Sequence, residues 1–422
     1  MPRKYNRLPI TVVIRSVSLV RGGTTFLLAA VVLAAIYALD PSDREWGLAT
    51  LGSLKYVPTF LACAAVPFYL AGSRRVPLND WPLLSLLAFS VLVLGGSLFT
   101  MLNRQVPAAE TFLGRAFNVW PVLAGYMMMF FPREREFLVS RFAPILFGIT
   151  VGMFLILGLW RLGIHVVLSK HIYHEEAVYF SAIAGAGLAA PGTRARVARV
   201  IVWSLAAALT VKITGFAFAA IALAGLVIVE FQGQRTEGAA SRVMGKVSVV
   251  LVVLAGIFAT LVTASVYRVL LPSGSPAVRL HTYAERWDLF TSSPLTGQWF
   301  VGTPIMQAGA LTLPSHSDAL DILAFGGILA GLLFLGPIAI ALRHGLANLR
   351  SFVDSRSRLQ TGCVVLVAAF LFELCFNPVL NQAKLSLPFW LGLGVVLADR
   401  RIRNGLSGSS RSSAAALRSR VR

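Results

Sequence analysis

The chain has 422 residues, of which 56% are hydrophobic and only 13% charged, and its mean hydropathy is +0.74. A soluble domain of this size has too little interior to hide so much apolar side chain, so these values exclude a soluble enzyme or a soluble binding module. The formal charge of +20 would point to nucleic acid in a soluble protein, but here it has to be read against the apolar runs.

Crossing a hydrocarbon core of ~30 Å takes roughly 20 helical residues, and helices keep their backbone hydrogen bonds satisfied there. In chain order the apolar stretches predict spans at 24–39, 57–71, 81–102, 117–131, 142–160 and 177–190, then 200–209, 214–229, 247–266, 322–342, 362–376 and 385–397. Residues 1–23 are a basic N-terminus, 24–266 hold the first nine spans, 267–317 form one long loop, 318–398 hold the last three, and 399–422 are a basic tail read as disordered. The first span lacks a small-residue cleavage site and is read as retained. The predicted fold class is an all-α polytopic membrane protein with about 12 transmembrane helices and a long loop between spans 9 and 10.

Assigning alternate loops to opposite sides places 27 of the 38 Lys and Arg residues on one side, from Arg3, Arg74 and Arg133 through Arg343 and Arg356 to the tail. The other side holds 11, including Arg115, Lys212, Arg279 and Arg286. The richer side is read as cytoplasmic, with both termini inside. The net charge then belongs to loops facing anionic membrane lipids, and nucleic acid is not among the expected partners. Cys63, Cys363 and Cys375 fall within spans and predict neither a disulfide framework nor a metal site.

The long outer loop is where chemistry is sought, since a connection of that length inside a compact protein is unusual unless functional. Residues 278–291 lie between the turn-rich 271–276 and Pro294 and predict a short amphipathic helix. Arg279, Tyr283 and Arg286 share one of its faces, and two guanidinium groups beside an aromatic can receive a phosphate or pyrophosphate. The alternative is an interfacial helix whose arginines snorkel to headgroups. His316, just before the tenth span, is a candidate general base, with Asp318 and Asp321 placed to orient it. Lys212 interrupts an apolar hairpin, which is costly unless it faces an anion or a wet cavity, or snorkels at the turn. Glu373, inside a span, reads as helix-pairing glue, and Glu175 and Glu176 after His171 and His174 are a weak base or metal signal. There is no Asp-x-Asp pair and no phosphate-binding Gly loop, so no metal or other cofactor is expected.

These residues resemble the O-antigen ligase and polymerase superfamily of bacterial envelope glycosyltransferases. In that family an Arg-x-x-x-Trp segment leads to a Pro-Leu-x-Gly turn and then to a His-Asn pair opening a Gly-rich span. Here stand Arg279-Leu280-His281-Thr282-Tyr283, Pro294-Leu295-Thr296-Gly297, and His316-Ser317 ahead of a run containing Gly326, Gly327 and Gly331. Tyr283 replaces the usual Trp, Ser317 the usual Asn, and Lys212 an Arg between spans 7 and 8.

The resemblance implies a GT-C-like, inner-membrane, metal-independent inverting glycosyltransferase whose donor is a glycan on undecaprenyl diphosphate. The acceptor would be a glycan or a lipid-linked one, and a chain-length regulator is a further partner it allows. His316, Arg279 and Lys212 would be catalytic, and Arg286, Tyr283 and Asp318 would bind substrate. Polymerization of O-antigen or exopolysaccharide is the reading preferred. A ligase delivering the chain to lipid A core is the alternative within the family, and a polysaccharide transporter or flippase the alternative outside it.

Overall fold

In the computed structural model, the described residues are 10–39, 56–72, 76–107, 111–142, 159, 163–164, 275–308, 311–314, 317–348, 355–375, 379–380 and 383–420. Their elements in order are α1 (Ile10–Leu39), α2 (Val57–Gly72), α3 (Trp81–Arg104), α4 (Leu113–Asn118), α5 (Pro121–Met128) and α6 (Pro132–Phe137), which runs into a π-turn at Leu138–Phe142. After the long loop begins come α7 (Ser275–Ser292), β1 (Ile305–Ala308), β2 (Leu311–Pro314), α8 (Asp318–Ala347), α9 (Ser355–Leu374) and α10 (Ala383–Arg420). Among the described residues the regular elements are helices except for the antiparallel β1–β2 hairpin, in which Ile305 faces Pro314 and Ala308 faces Leu311. Two of these helices, α3 and α8, are long and apolar enough to cross a membrane. The spans expected at 142–160, 177–190, 200–209, 214–229 and 247–266 lie almost wholly outside the described residues.

Three expectations are corrected. The stretch 117–131 is not one helix: α4 and α5 are separated by a turn at 119–120. Pro121 has no N–H to continue the ladder, and the chain tightens instead through Trp120 N–H to Phe117 C=O and Val122 N–H to Val119 C=O, at 3.2 and 3.0 Å. Residues 399–422, expected to be disordered, continue α10 as helix through Arg420. An i,i+4 ion pair between Asp399 and Arg403 at 2.9 Å supports that continuation. The third is the hairpin itself, which the loop's composition did not foretell.

The core draws on α1 to α5, α8, α9 and α10. Phe370 of α9 stacks on Phe389 of α10 with centroids 4.0 Å apart, and Trp390 meets Phe334 of α8 edge-on at 5.9 Å. Where α5 and α10 cross, any side chain at Gly125 would collide with the Leu391 carbonyl, and any at Gly394 with that of Val122. Small residues at the crossing let two backbones touch and gain close-packing energy.

The feature that organizes the fold is a wedge. After α7 the chain turns back through 293–304 and lies against both α3 and α8. On the α3 side the Thr100 hydroxyl accepts the Gly302 N–H at 2.9 Å, and Gly96 lies so near the Trp299 carbonyl that a Cβ there could not fit. On the α8 side the helix is broken at Gly327, whose φ of 63° and ψ of −166° are open to glycine almost alone. The groups freed by the break are met by the wedge: Phe300 N–H donates to Phe325 C=O at 2.8 Å, while Ile328 and Leu329 N–H donate to Pro294 and Leu295 C=O at 2.8 and 3.1 Å. Phe300 fills the core between Phe89 and Phe112, at 5.9 and 5.4 Å, whereas Leu295 and Trp299 point outward.

At the far end of α8 a single carboxylate ties three helices together. Asp399 of α10 bonds His344 of α8 at 3.0 Å, Arg356 of α9 at 2.6 Å and Arg403 of its own helix at 2.9 Å. Nearby, Asp80 ahead of α3 pairs with Arg400 of α10. Burial pushes the Asp399 carboxyl up, but the His344 hydrogen bond and the guanidinium groups of Arg356 and Arg403 outweigh it and hold it below the ordinary carboxylate range. A carboxyl lowered on folding stabilizes the fold above its unfolded value and loses that contribution as pH falls through its folded one. The melting temperature of wild type should therefore drop further between pH 7 and pH 3 than that of Asp399→Asn, measured by thermal unfolding in detergent; parallel drops would show that Asp399 carries none of the acid sensitivity.

Candidate functional site

The helix expected at 278–291 is α7, with Ser275 and Pro276 opening it. Among its described side chains Thr282 and Arg286 are buried, one turn apart, with Leu289 packed against the core beyond them. His281, Glu285, Trp287 and Asp288 face outward. Arg286 is only 3% exposed. Its Nε lies 2.9 Å from Asp321 Oδ1, its Nη2 donates to the Pro304 carbonyl at 3.1 Å, and its guanidinium lies 4.9 Å from the Phe325 ring centroid. The outward-facing Glu285 is at 4.0 Å, too exposed to matter greatly.

Asp321 is shared. Its second oxygen is 2.6 Å from Arg115 Nη2, and that same nitrogen is 2.8 Å from Asp318 Oδ1. Asp318 Oδ2 accepts the Leu380 N–H at 2.6 Å. Arg115 comes from α4, is as buried as Arg286, and rests over Phe112 at 4.8 Å. Two arginines and two aspartates thus form a buried chain, Asp318–Arg115–Asp321–Arg286, which is charge-balanced and joins α4, α7, the first turn of α8 and the 379–380 segment. The two carboxylates also sit in the first turn of α8, where the helix dipole favors negative charge.

Ser317 caps α8. Its backbone is extended, and its hydroxyl accepts the Leu320 N–H at 3.2 Å and donates to the Leu374 carbonyl at 3.3 Å. Serine and asparagine are both strong N-cap residues, so a Ser at this position keeps the cap that an Asn would give.

Of the six site residues expected from sequence, the structure brings Arg286 and Asp318 into one buried network, and places Tyr283, half-buried, on the same helix as Arg286. Arg279 occupies α7 two turns earlier, roughly 10 Å along the axis. His316 and Lys212 lie outside the described residues. Arg286 meets Asp321 through Nε and the Pro304 carbonyl through Nη2, and at 3% exposure what it offers an approaching anion is chiefly charge. Both oxygens of Asp318 are likewise engaged by Arg115 and Leu380. The residue that sequence reasoning missed is Arg115. Its signal was a guanidinium at the edge of an apolar stretch on the side poorer in cations, with two carboxylates opening a later span on that same side.

Among the described residues no group of three or more His, Cys, Asp or Glu could hold a metal ion. Comparison with family models and with curated proteins gave no match.

Proposed function

We propose that the chain is a polytopic inner-membrane glycosyltransferase of the O-antigen ligase and polymerase type, working at the periplasmic face on a glycan carried by undecaprenyl diphosphate. The observation that carries this reading is the ion-pair chain at the start of α8. It holds the loop helix bearing Arg279, Tyr283 and Arg286 against the helix whose first residue, Asp318, follows His316 by two positions. The cationic helix is thereby kept at the end of α8 that follows His316 in the sequence. The charge layout agrees: α8 is long and apolar enough to cross a membrane, and the buried Arg/Asp network and the His344/Asp399 network mark its two ends. On this reading there are about twelve spans and both termini are cytoplasmic.

In the reaction, the bond between the anomeric carbon and the diphosphate oxygen breaks as the acceptor hydroxyl oxygen attacks from the opposite face, giving inversion. His316 takes the hydroxyl proton, and undecaprenyl diphosphate departs with the bonding pair. Arg279 and Lys212 stabilize the charge growing on the diphosphate, with Arg286 adding to the local positive field; fixed cations in a partly dehydrated site can supply several kcal/mol. No metal ion is required for this role.

The test is polysaccharide and lipid-linked intermediate profiling in a deletion strain complemented with wild type, His316→Ala, Arg279→Ala or Lys212→Ala, with membrane levels of each variant checked. Accumulated single lipid-linked repeat units are the expected result and mark a polymerase. Long lipid-linked chains awaiting transfer would mark a ligase. A wild-type profile from all three normally expressed variants would overturn the proposed site and favor a transporter.

A further inference from the structure

We infer that Arg115 is a positioning residue for this site: from α4 it holds the two carboxylates at the start of α8, and through Asp321 it fixes the tilt and depth of the cationic helix α7. The inference rests on the glycosyltransferase reading for what is being positioned, but not for the pinning itself. Arg115 makes both ion pairs through one nitrogen, Nη2, at 2.8 and 2.6 Å. Its Nε and Nη1 have no hydrogen-bond partner among the described residues. Asp321 links Arg115 to α7, passing its other oxygen to Arg286 at 2.9 Å. Buried at 3% exposure, Arg115 acts through other side chains.

Without Arg115, Asp321 keeps Arg286 while Asp318 keeps the Leu380 N–H. Asp318 and Asp321 then repel, Asp321 turns from its place, and Arg286 follows it. Arg279 stands two turns from Arg286 on the same helix, so a small rotation at Arg286 becomes a displacement at Arg279. A shift of about 1 Å in a positioned group costs roughly 100-fold in rate.

The experiment uses the full chain in lipid nanodiscs, with wild type, Arg115→Ala and Arg115→Lys. Hydrogen–deuterium exchange is read over 275–292, 318–324 and 383–400, and transfer is assayed with an undecaprenyl-diphosphate-linked repeat unit. In Arg115→Ala, exchange should rise in 275–292 and 318–324 and stay unchanged in 383–400, with kcat down about 100-fold and KM within about threefold. Because one nitrogen makes both contacts, Arg115→Lys should recover to within about tenfold of wild type. Unchanged exchange in 275–292 would overturn the inference. So would a rise that includes 383–400, which marks general destabilization, or a raised KM at constant kcat, which marks direct substrate contact. If wild type shows no transfer, the functional reading fails while the exchange result still decides the pinning. If Arg115→Ala cannot be recovered, Asp321→Asn, which cuts the same link, takes its place under the same criteria.

Discussion

Asp321→Ala is expected to be among the most damaging single substitutions in the described part of the chain, costing about 3–5 kcal/mol of stability. Asp321 is the carboxylate between two buried guanidinium groups, at 2.6 Å from Arg115 and 2.9 Å from Arg286. Among the described residues its removal leaves Arg286 with no buried counter-charge and Arg115 with Asp318 alone, and an uncompensated buried charge costs far more than an intact pair contributes. Asp318→Ala should cost less, because Asp321 still serves both arginines, although the Leu380 N–H then loses its acceptor. Unfolding in mixed micelles, scored for all three proteins, checks the order. If Asp318→Ala were the worse of the two, the network would be held chiefly by its contact with residue 380.

The second large effect is expected at the helix break. In Gly327→Ala the new methyl meets Leu295 C and O at 2.5 Å, and the backbone must keep a φ of 63°. Steric collision and a conformation closed to L-residues together should cost at least ~3 kcal/mol. The consequence is local: the wedge lifts away, Ile328 and Leu329 lose their acceptors, and Phe300 leaves its place between Phe89 and Phe112. Limited proteolysis of 293–304 and intrinsic Trp299 fluorescence should both report the release. Gly336→Ala, with open space around its missing side chain, is the control, and equal losses from the two would mean that the break is not a pinning point.

How much of this was legible from sequence depends on the range over which each interaction acts. The helix at 275–292 could be read because its polar and apolar positions repeat locally and turns bound it. So could the small-residue run at 326–331, but not the fact that the helix breaks inside it, because an apolar window looks the same whether or not one glycine leaves helical space. The break is legible only together with Pro294–Leu295, whose carbonyls complete it. Arg115 and Asp321 are 206 residues apart, and no periodicity joins them. The tail shows the reverse error: Ser- and Arg-rich composition spoke for disorder, while the start of its helix is supported by the local pair of Asp399 with Arg403 and by the tertiary pairs of Asp399 with His344 and Arg356. Ser317 could be read as an unusual residue in a motif, whereas its backbone makes it an ordinary cap.

The distance between Arg115 and its counter-charges also has a consequence for biogenesis. On the proposed membrane reading the chain is inserted as it is made, and at about 5–20 residues per second the 206 residues between Arg115 and Asp321 take roughly 10–40 s to synthesize. During that interval α4 carries a guanidinium with neither aspartate yet made, and burying it in lipid costs several kcal/mol. The short helices α4 and α5 would therefore wait near the membrane surface and settle only when α8 delivers its two carboxylates. The N-terminal half of the protein would then be completed last, by residues from its C-terminal half.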